Sequence, residues 1–110
     1  MTKLNVYIAL PMSGRSQSTI DFEMNVLRGH VNERHPHIEV LMLNFYDPAK
    51  ELEPPLTVMA DCLELLDRAD VVYFSPNWRN SKGCRLEKTA CELYGIPHVV
   101  VEKDILNNLA

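Results

Sequence analysis

Short apolar runs alternate along this chain with stretches of mixed character. Four runs have the compact apolar character of buried strands, and they cover residues 5–10, 38–43, 71–75 and 98–102. Between them, apolar residues recur at spacings of three and four, which places them on one face of a helix. The pattern therefore predicts the order βαβαβαβ, followed by a short helix or a frayed tail.

Three helices are predicted from this periodicity and from the residues at their ends. The first covers about 18–33, with Ser18 as its N-cap, and the second covers 56–68. The third is capped by Ser81 and ends before Gly95, which is followed by a proline, the expected stop signal.

Nearly continuous apolar strands joined by helices predict a parallel sheet that is covered on both faces. We expect a single domain over 1–110 with an α/β fold: three layers and a doubly wound, mainly parallel sheet of four to five strands, flavodoxin/Rossmann-like. In such sheets ligands bind beyond the carboxyl ends of the strands. The loops there are 11–18, 44–50 and 75–83.

Composition narrows the classes of partner. With 46% apolar and 24% charged residues, a net charge of -4 and no large Lys/Arg cluster, the chain lacks the basic surface that nucleic-acid binding requires. No run approaches the roughly 18 apolar residues of a membrane span, and the first apolar run is too short for a signal peptide. We expect a cytoplasmic protein that binds neither nucleic acid nor membrane.

The number and spacing of the cysteines and histidines argue against a metal site and against disulfide bonds. There are three cysteines, an odd number without a CxxC pair, so we expect reduced thiols. The four histidines show no metal-ligand spacing. We therefore expect no metal and no cofactor.

The first candidate site is the loop Pro11–Ser16, which follows a strand and precedes a helix. Its small residues Ser13 and Gly14 allow backbone N–H groups to approach an anion, and the helix N-terminus attracts negative charge. The loop is neither a Walker loop nor a G-x-G-x-x-G motif, so an ordinary turn explains it equally well.

Glu87, in the third helix, is the second candidate. Its helical neighbours Gly83, Ala90 and Cys91 are small, which suggests space for a ligand beside the carboxylate. Partial burial would raise the pKa of the Glu87 carboxyl group or require a partner. The alternative is a solvated glutamate that pairs with a basic neighbour.

An ordinary structural or solvated role also explains three further residues. Asp61 lies in the second helix and is either a site residue or a solvated aspartate. Tyr7, within the first strand, is most often a core residue at such a position. Trp78, in a loop, is either a lid or a packing residue.

Two stretches resemble a known superfamily. The string 7–14, YIALPMSG, resembles the opening strand and loop of the nucleoside 2-deoxyribosyltransferase-like superfamily. The stretch 69–90 contains W-x-x-S-x-G-x-x-x-E and is similar to that group's second signature, above all in its DUF4406 branch. The resemblance spans nearly the whole chain. It implies a nucleotide-handling enzyme similar to deoxynucleoside 5′-monophosphate N-glycosidases, whose partner is a small-molecule nucleotide.

The resemblance also implies residue roles. Glu87 matches the catalytic glutamate that attacks the anomeric carbon, and Tyr7 matches the tyrosine that positions it. Asp61 is similar in position to the aspartate that assists the leaving base. Ser13 and Gly14 fall in the loop that faces the 5′ end of the sugar.

The branch that hydrolyses monophosphates has a serine six residues before the glutamate, as this chain does at Ser81. An aspartate there would repel a phosphate, whereas a serine at a helix N-terminus can donate to it. The resemblance also includes Gly83 in the motif, and it offers Trp78 as a base-stacking residue. Leu10 departs from the family, which usually has glycine there.

Several questions stay open at this stage. Base identity, hydrolysis versus transfer, and deoxyribose versus ribose are not decided by the sequence. Relatives form homodimers or higher homo-oligomers, which the resemblance implies here too. The alternative function is a non-catalytic nucleotide-binding or signal-sequestering protein.

Overall fold

Strands and helices alternate through the chain in the predicted order. The structure, a computed structural model, describes residues 3–44 and 52–107. Within those ranges the elements are β1 (Lys3–Ala9), α1 (Gln17–Arg34), β2 (Glu39–Met42), α2 (Pro55–Asp67), β3 (Val71–Phe74), α3 (Lys82–Tyr94), β4 (His98–Val100) and α4 (Lys103–Asn107). A 3₁₀ turn, Trp78–Asn80, lies between β3 and α3.

The four described strands form one sheet in the order β2-β1-β3-β4, and every pair is parallel. This confirms the predicted flavodoxin/Rossmann-like α/β fold. β1 and β3 are neighbours in the sheet. The connection after β1 leads to β2 on one side of this pair, and the connection after β3 leads to β4 on the other side. The boundary between β1 and β3 is the topological switch point, where such folds bind ligands.

The sheet has an apolar core on each face, because residues along a strand alternate between faces. On one face, Val6 and Ile8 of β1 pack with apolar residues of α1 and α4. On the other, Tyr7 and Ala9 pack with residues of α2 and α3. β1 is thus buried on both sides, which explains its nearly continuous apolar sequence.

The ends of the helices were predicted with mixed success. Ser81 caps α3 by accepting a hydrogen bond from the Cys84 N–H at 3.2 Å, and Gly95 ends the helix at φ 67°, both as predicted. Ser18 as the cap of α1 was wrong. The cap is Ser16, whose extended backbone lets its hydroxyl accept from the Thr19 N–H at 3.2 Å, whereas Ser18 is already helical.

The predicted ligand loop at 44–50 lies outside the described residues apart from Asn44. That side chain is buried beside β1. Its Oδ1 accepts from the Ile8 N–H at 2.9 Å, and its Nδ2 donates to the Ile8 carbonyl at 2.6 Å. Because β2 ends at Met42, the Asn44 amide takes over the partners that another strand residue would supply.

Asn44→Ala should therefore leave the two Ile8 backbone groups buried and unpaired. We expect the free energy of unfolding, measured by urea denaturation, to fall by about 2–3 kcal/mol. Asn25→Ala, at an exposed position of α1, is the matched control and should change it by less than about 0.5 kcal/mol. Equal stabilities of the two variants would contradict this role of Asn44.

Candidate functional site

A buried hydrogen bond joins β1 to α3. The Tyr7 hydroxyl donates to Oε2 of Glu87, and the two residues lie 80 positions apart in the sequence. Both are almost completely buried, with Tyr7 3% and Glu87 5% exposed. The solvated alternative for Glu87 is therefore excluded, and two residues singled out separately in the sequence are brought together.

Burial sets the electrostatics of this pair. It raises the pKa of Glu87 from 4.5 to about 7, while the hydrogen bond from Tyr7 acts in the opposite direction and lowers it. Burial, followed by the charge of Glu87, raises the pKa of Tyr7 well above its usual range. Tyr7 therefore remains a proton donor throughout the neutral range, whereas Glu87 changes charge within it.

Three thiols surround the pair. Cys62 of α2 interacts with the Tyr7 hydroxyl, and burial followed by the charge of Glu87 raises the pKa of Cys84 to about 12 and of Cys91 to about 11. Thiols that are protonated at neutral pH are poor nucleophiles, so Cys84 and Cys91 serve as lining. Cys84 was not predicted as part of the site, although Cys84 lies three residues before Glu87 on the same helical face.

Gly83 has a packing role that the sequence did not reveal. A Cβ atom placed on it would lie 3.1 Å from Sδ of Met59 in α2. Met59 thus occupies space beside Gly83 that was interpreted as room for a ligand. Substrate binding by Gly83 stays a prediction.

Asp61 is exposed on α2, next to Cys62 in sequence but not part of the buried Tyr7–Glu87 pair. Its proposed assistance to a leaving base depends on its reach from this exposed position. That role stays a prediction.

Trp78 is half-buried against the core on the Glu87 side of the sheet. Its ring contacts Phe74 edge-on at a centroid distance of 6.3 Å. The Arg79 guanidinium carbon lies 5.0 Å and the Lys88 Nζ 5.3 Å from the centroid of the indole. These contacts show that Trp78 has a packing role. Stacking of Trp78 on a base stays a prediction.

A polar cleft of about 250 Å³ lies at the switch point between β1 and β3. Its lining comes from two of the three predicted ligand loops, 11–18 and 75–83, and consists of Pro11, Ser13, Arg15, Asn77 and Asn80. The loop that carries Ser13 turns at Gly14, whose φ of 75° favours glycine. Ser81, the cap of α3, directly follows this lining.

Glu23 of α1 is a second buried carboxylate, 3% exposed, and the sequence analysis missed it. Its Oε2 forms an ion pair with Arg15, and its Oε1 accepts from the hydroxyl of Ser75, the residue after β3. The available signal was its position on the apolar helix face, three residues after Ile20 and four before Leu27. A charged residue at such a position requires a buried partner.

Both buried carboxylates act electrostatically on the thiol of Cys84 in α3. The pKa of Cys84 is raised by burial, then by Glu87 and, to a smaller extent, by Glu23. The first turn of α3 therefore experiences the field of both groups. Asn80, which lines the cleft, lies two residues before α3, the helix that carries Glu87.

Two negative findings complete the description. Over 3–44 and 52–107 there is no group of three or more His, Cys, Asp or Glu side chains arranged to hold a metal ion. Within the same ranges, none of the helices has the length and apolarity that crossing a membrane requires.

The raised pKa of Glu87 makes folding stability depend on pH. The folded protein holds the Glu87 proton more tightly than the unfolded chain, so this contribution is fully present below pH 4.5 and is lost as the pH rises through about 7. Relative to Glu87→Gln, the wild-type free energy of unfolding should fall by roughly 3 kcal/mol across that interval.

Urea denaturation of both proteins at several pH values between about 5 and 8 measures this difference. Glu92→Gln, on the exposed side of α3, is the control, because Lys88 lowers the pKa of Glu92 and removes it from this pH interval. Parallel stability curves for wild type and Glu87→Gln would show that the carboxyl group of Glu87 titrates normally.

Comparisons with known proteins agree with this architecture. A crystal structure of a conserved protein from Enterococcus faecalis V583 is similar, with a TM-score of 0.60 and 20% sequence identity over 94% of this chain. At that identity the likeness shows the fold alone, and the chain spans 65% of that protein's length. No curated protein matches the sequence.

The family comparison is more specific. The model of a family described as a domain of unknown function, DUF4406, matches residues 4–100. The match includes Tyr7, the Trp78–Glu87 motif and all four strands of the sheet except the first residue of β1. The predicted resemblance to DUF4406 is confirmed, and the chain belongs to the DUF4406 family.

Proposed function

We propose that this protein cleaves the base–sugar bond of a (2′-deoxy)nucleoside 5′-monophosphate, as an N-glycosidase or a deoxyribosyltransferase, with Glu87 as nucleophile. The observation that carries the proposal is the buried hydrogen bond between Tyr7 and Glu87. A polar cleft lies at the switch point, and Asn80 in its lining lies two residues before α3, the helix that carries Glu87. The resemblance of both motifs to the nucleoside 2-deoxyribosyltransferase-like superfamily supplies the reaction class.

The environment of Glu87 suits a carboxylate nucleophile. A pKa of about 7 leaves a substantial ionised fraction at neutral pH, and the ionised form is poorly solvated and therefore reactive. Tyr7 donates to Oε2, so the other oxygen, Oε1, is the one that attacks. The hydrogen bond also favours the ionised form over the neutral acid.

The reaction then follows two displacements at C1′. Oε1 of Glu87 forms a bond to C1′ while the C–N bond breaks, and the base leaves with that electron pair and a proton from Asp61 or water. Water next attacks C1′, loses a proton to solvent, and displaces the Glu87 carboxylate. Two inversions at one carbon retain its configuration. Transfer differs only in the second displacement, where a second nucleobase attacks C1′ in place of water.

The cleft supports a phosphorylated substrate. Ser13 and Arg15 line it near the N-terminus of α1, and hydroxyl, guanidinium and helix-end N–H groups are typical phosphate donors. Ser81 caps α3 without adding a negative charge beside the cleft. A free nucleoside lacks the phosphate group that such donors bind.

Incubation with the four deoxynucleoside 5′-monophosphates tests the proposal directly. We expect at least one to release its free base, detected by chromatography, and Glu87→Gln to abolish release because the amide is not a nucleophile. Glu92→Gln is the matched control on the same helix and should keep full activity. Turnover by Glu87→Gln at the wild-type rate would exclude Glu87 as nucleophile.

Tyr7→Phe should move the pH dependence of the reaction. Loss of the hydrogen bond removes the interaction that lowers the pKa of Glu87, so that pKa rises above about 7. Activity requires the carboxylate, so kcat/KM should reach its plateau at higher pH and fall more at about pH 6 than at about pH 8. A uniform loss at every pH would mean that Tyr7 does not tune Glu87.

The burial of Glu87 also favours a second candidate, a non-catalytic nucleotide-binding or signal-sequestering protein. A carboxylate that is only 5% exposed is shielded from a substrate as well as from water. Tight binding of a monophosphate, measured by calorimetry, without any release of base would support this candidate and exclude the enzyme.

A further inference from the structure

Arg15, Glu23 and Ser75 form a connected cluster, here termed the clasp, which links three separate parts of the chain. Glu23 lies on α1, Arg15 on the loop after β1, and Ser75 at the end of β3. Ser75 Oγ in turn accepts from the Asn77 N–H at 3.0 Å. The clasp thereby joins the two loops that line the cleft.

The clasp holds the guanidinium of Arg15 in a fixed orientation. Nη1 donates to the Pro11 carbonyl at 2.6 Å, and Nη2 pairs with Glu23. A guanidinium has five N–H donors in one plane, so two fixed hydrogen bonds also determine the directions of the other three donors. Arg15 is 23% exposed and lines the cleft, where its remaining donors can meet an oxyanion.

Stability alone does not explain a carboxylate at position 23. The surrounding face of α1 is apolar, and Glu23 and Ser75 are 3% and 0% exposed. Replacing buried ionic groups with apolar residues of similar volume is often neutral or stabilising. The polar cluster is therefore better explained by the geometry it imposes on Arg15 and on the loop at Ser75.

We propose that Glu23 is the positioning residue of the cleft, and that it fixes Arg15 and the two loops in the arrangement that binds the 5′-phosphate of the nucleotide. The assignment of the ligand rests on the proposed function. Glu23 itself does not touch the ligand and acts through Arg15 and Ser75.

Glu23→Met tests the proposal, because it leaves every cleft-lining residue in place. The measurement is the ratio of the Kd of a deoxynucleoside to the Kd of its 5′-monophosphate, obtained by calorimetry. In the wild type the monophosphate should bind more tightly. In Glu23→Met we expect this preference to shrink about tenfold or more, while nucleoside affinity stays unchanged.

Kinetics should show the same separation. KM for the monophosphate should rise with kcat nearly unchanged, a split that a general loss of stability does not produce. Glu23→Gln, which keeps an acceptor for Ser75, should recover part of the preference. Glu33→Met, at an exposed position of α1, is the matched control and should behave as wild type.

Each outcome has a distinct meaning. If Glu23→Met fails to fold, the pair Glu23→Met with Ser75→Ala removes both buried polar groups and serves in its place. An unchanged phosphate preference in a folded variant would overturn the positioning role, as would the absence of any monophosphate binding by the wild type. Binding without base release would instead overturn the enzyme proposal and leave the test of Glu23 intact.

Discussion

The hydrogen bond from Tyr7 to Glu87 is the interaction on which the rest of the site depends. It places a carboxylate in an apolar core, where an unpaired charge would be strongly unfavourable. It also ties α3 to the central strand of the sheet. Without a donor from β1, the pKa of Glu87 would rise further, and the buried group would be held as the neutral acid at neutral pH.

A reciprocal arrangement links the two strands at the switch point. The helix after β1 carries Glu23, which accepts from Ser75 at the end of β3. The helix after β3 carries Glu87, which accepts from Tyr7 of β1. Each helix begins at a serine cap, and each glutamate follows its cap by six or seven residues. Each of the two strand–helix pairs, β1 with α1 and β3 with α3, therefore carries a carboxylate that is held by a hydroxyl group from the other pair.

The sequence predicted the architecture and one half of this arrangement. Apolar runs and helix ends were sufficient for the order of strands and helices along the chain and for the roles of Ser81 and Gly95 at the ends of α3, because those signals are local. Ser16 and Ser18 both precede helical residues, so only backbone geometry distinguished the cap. The contact of Glu23 with Ser75 was not predictable, since the two residues lie 52 positions apart and no local spacing encodes their approach. The packing of Met59 against Gly83 was hidden for the same reason.

That contact bears on how a molecule reaches Glu87. A group that is 5% exposed is accessible only after some neighbour moves. Gly83 lies one helical turn before Glu87, and the side chain resting on it belongs to a methionine. An unbranched thioether changes rotamer without moving its backbone. Rotation of Met59 would therefore open space one helical turn from the carboxylate, while the helices on either side of it stay in place.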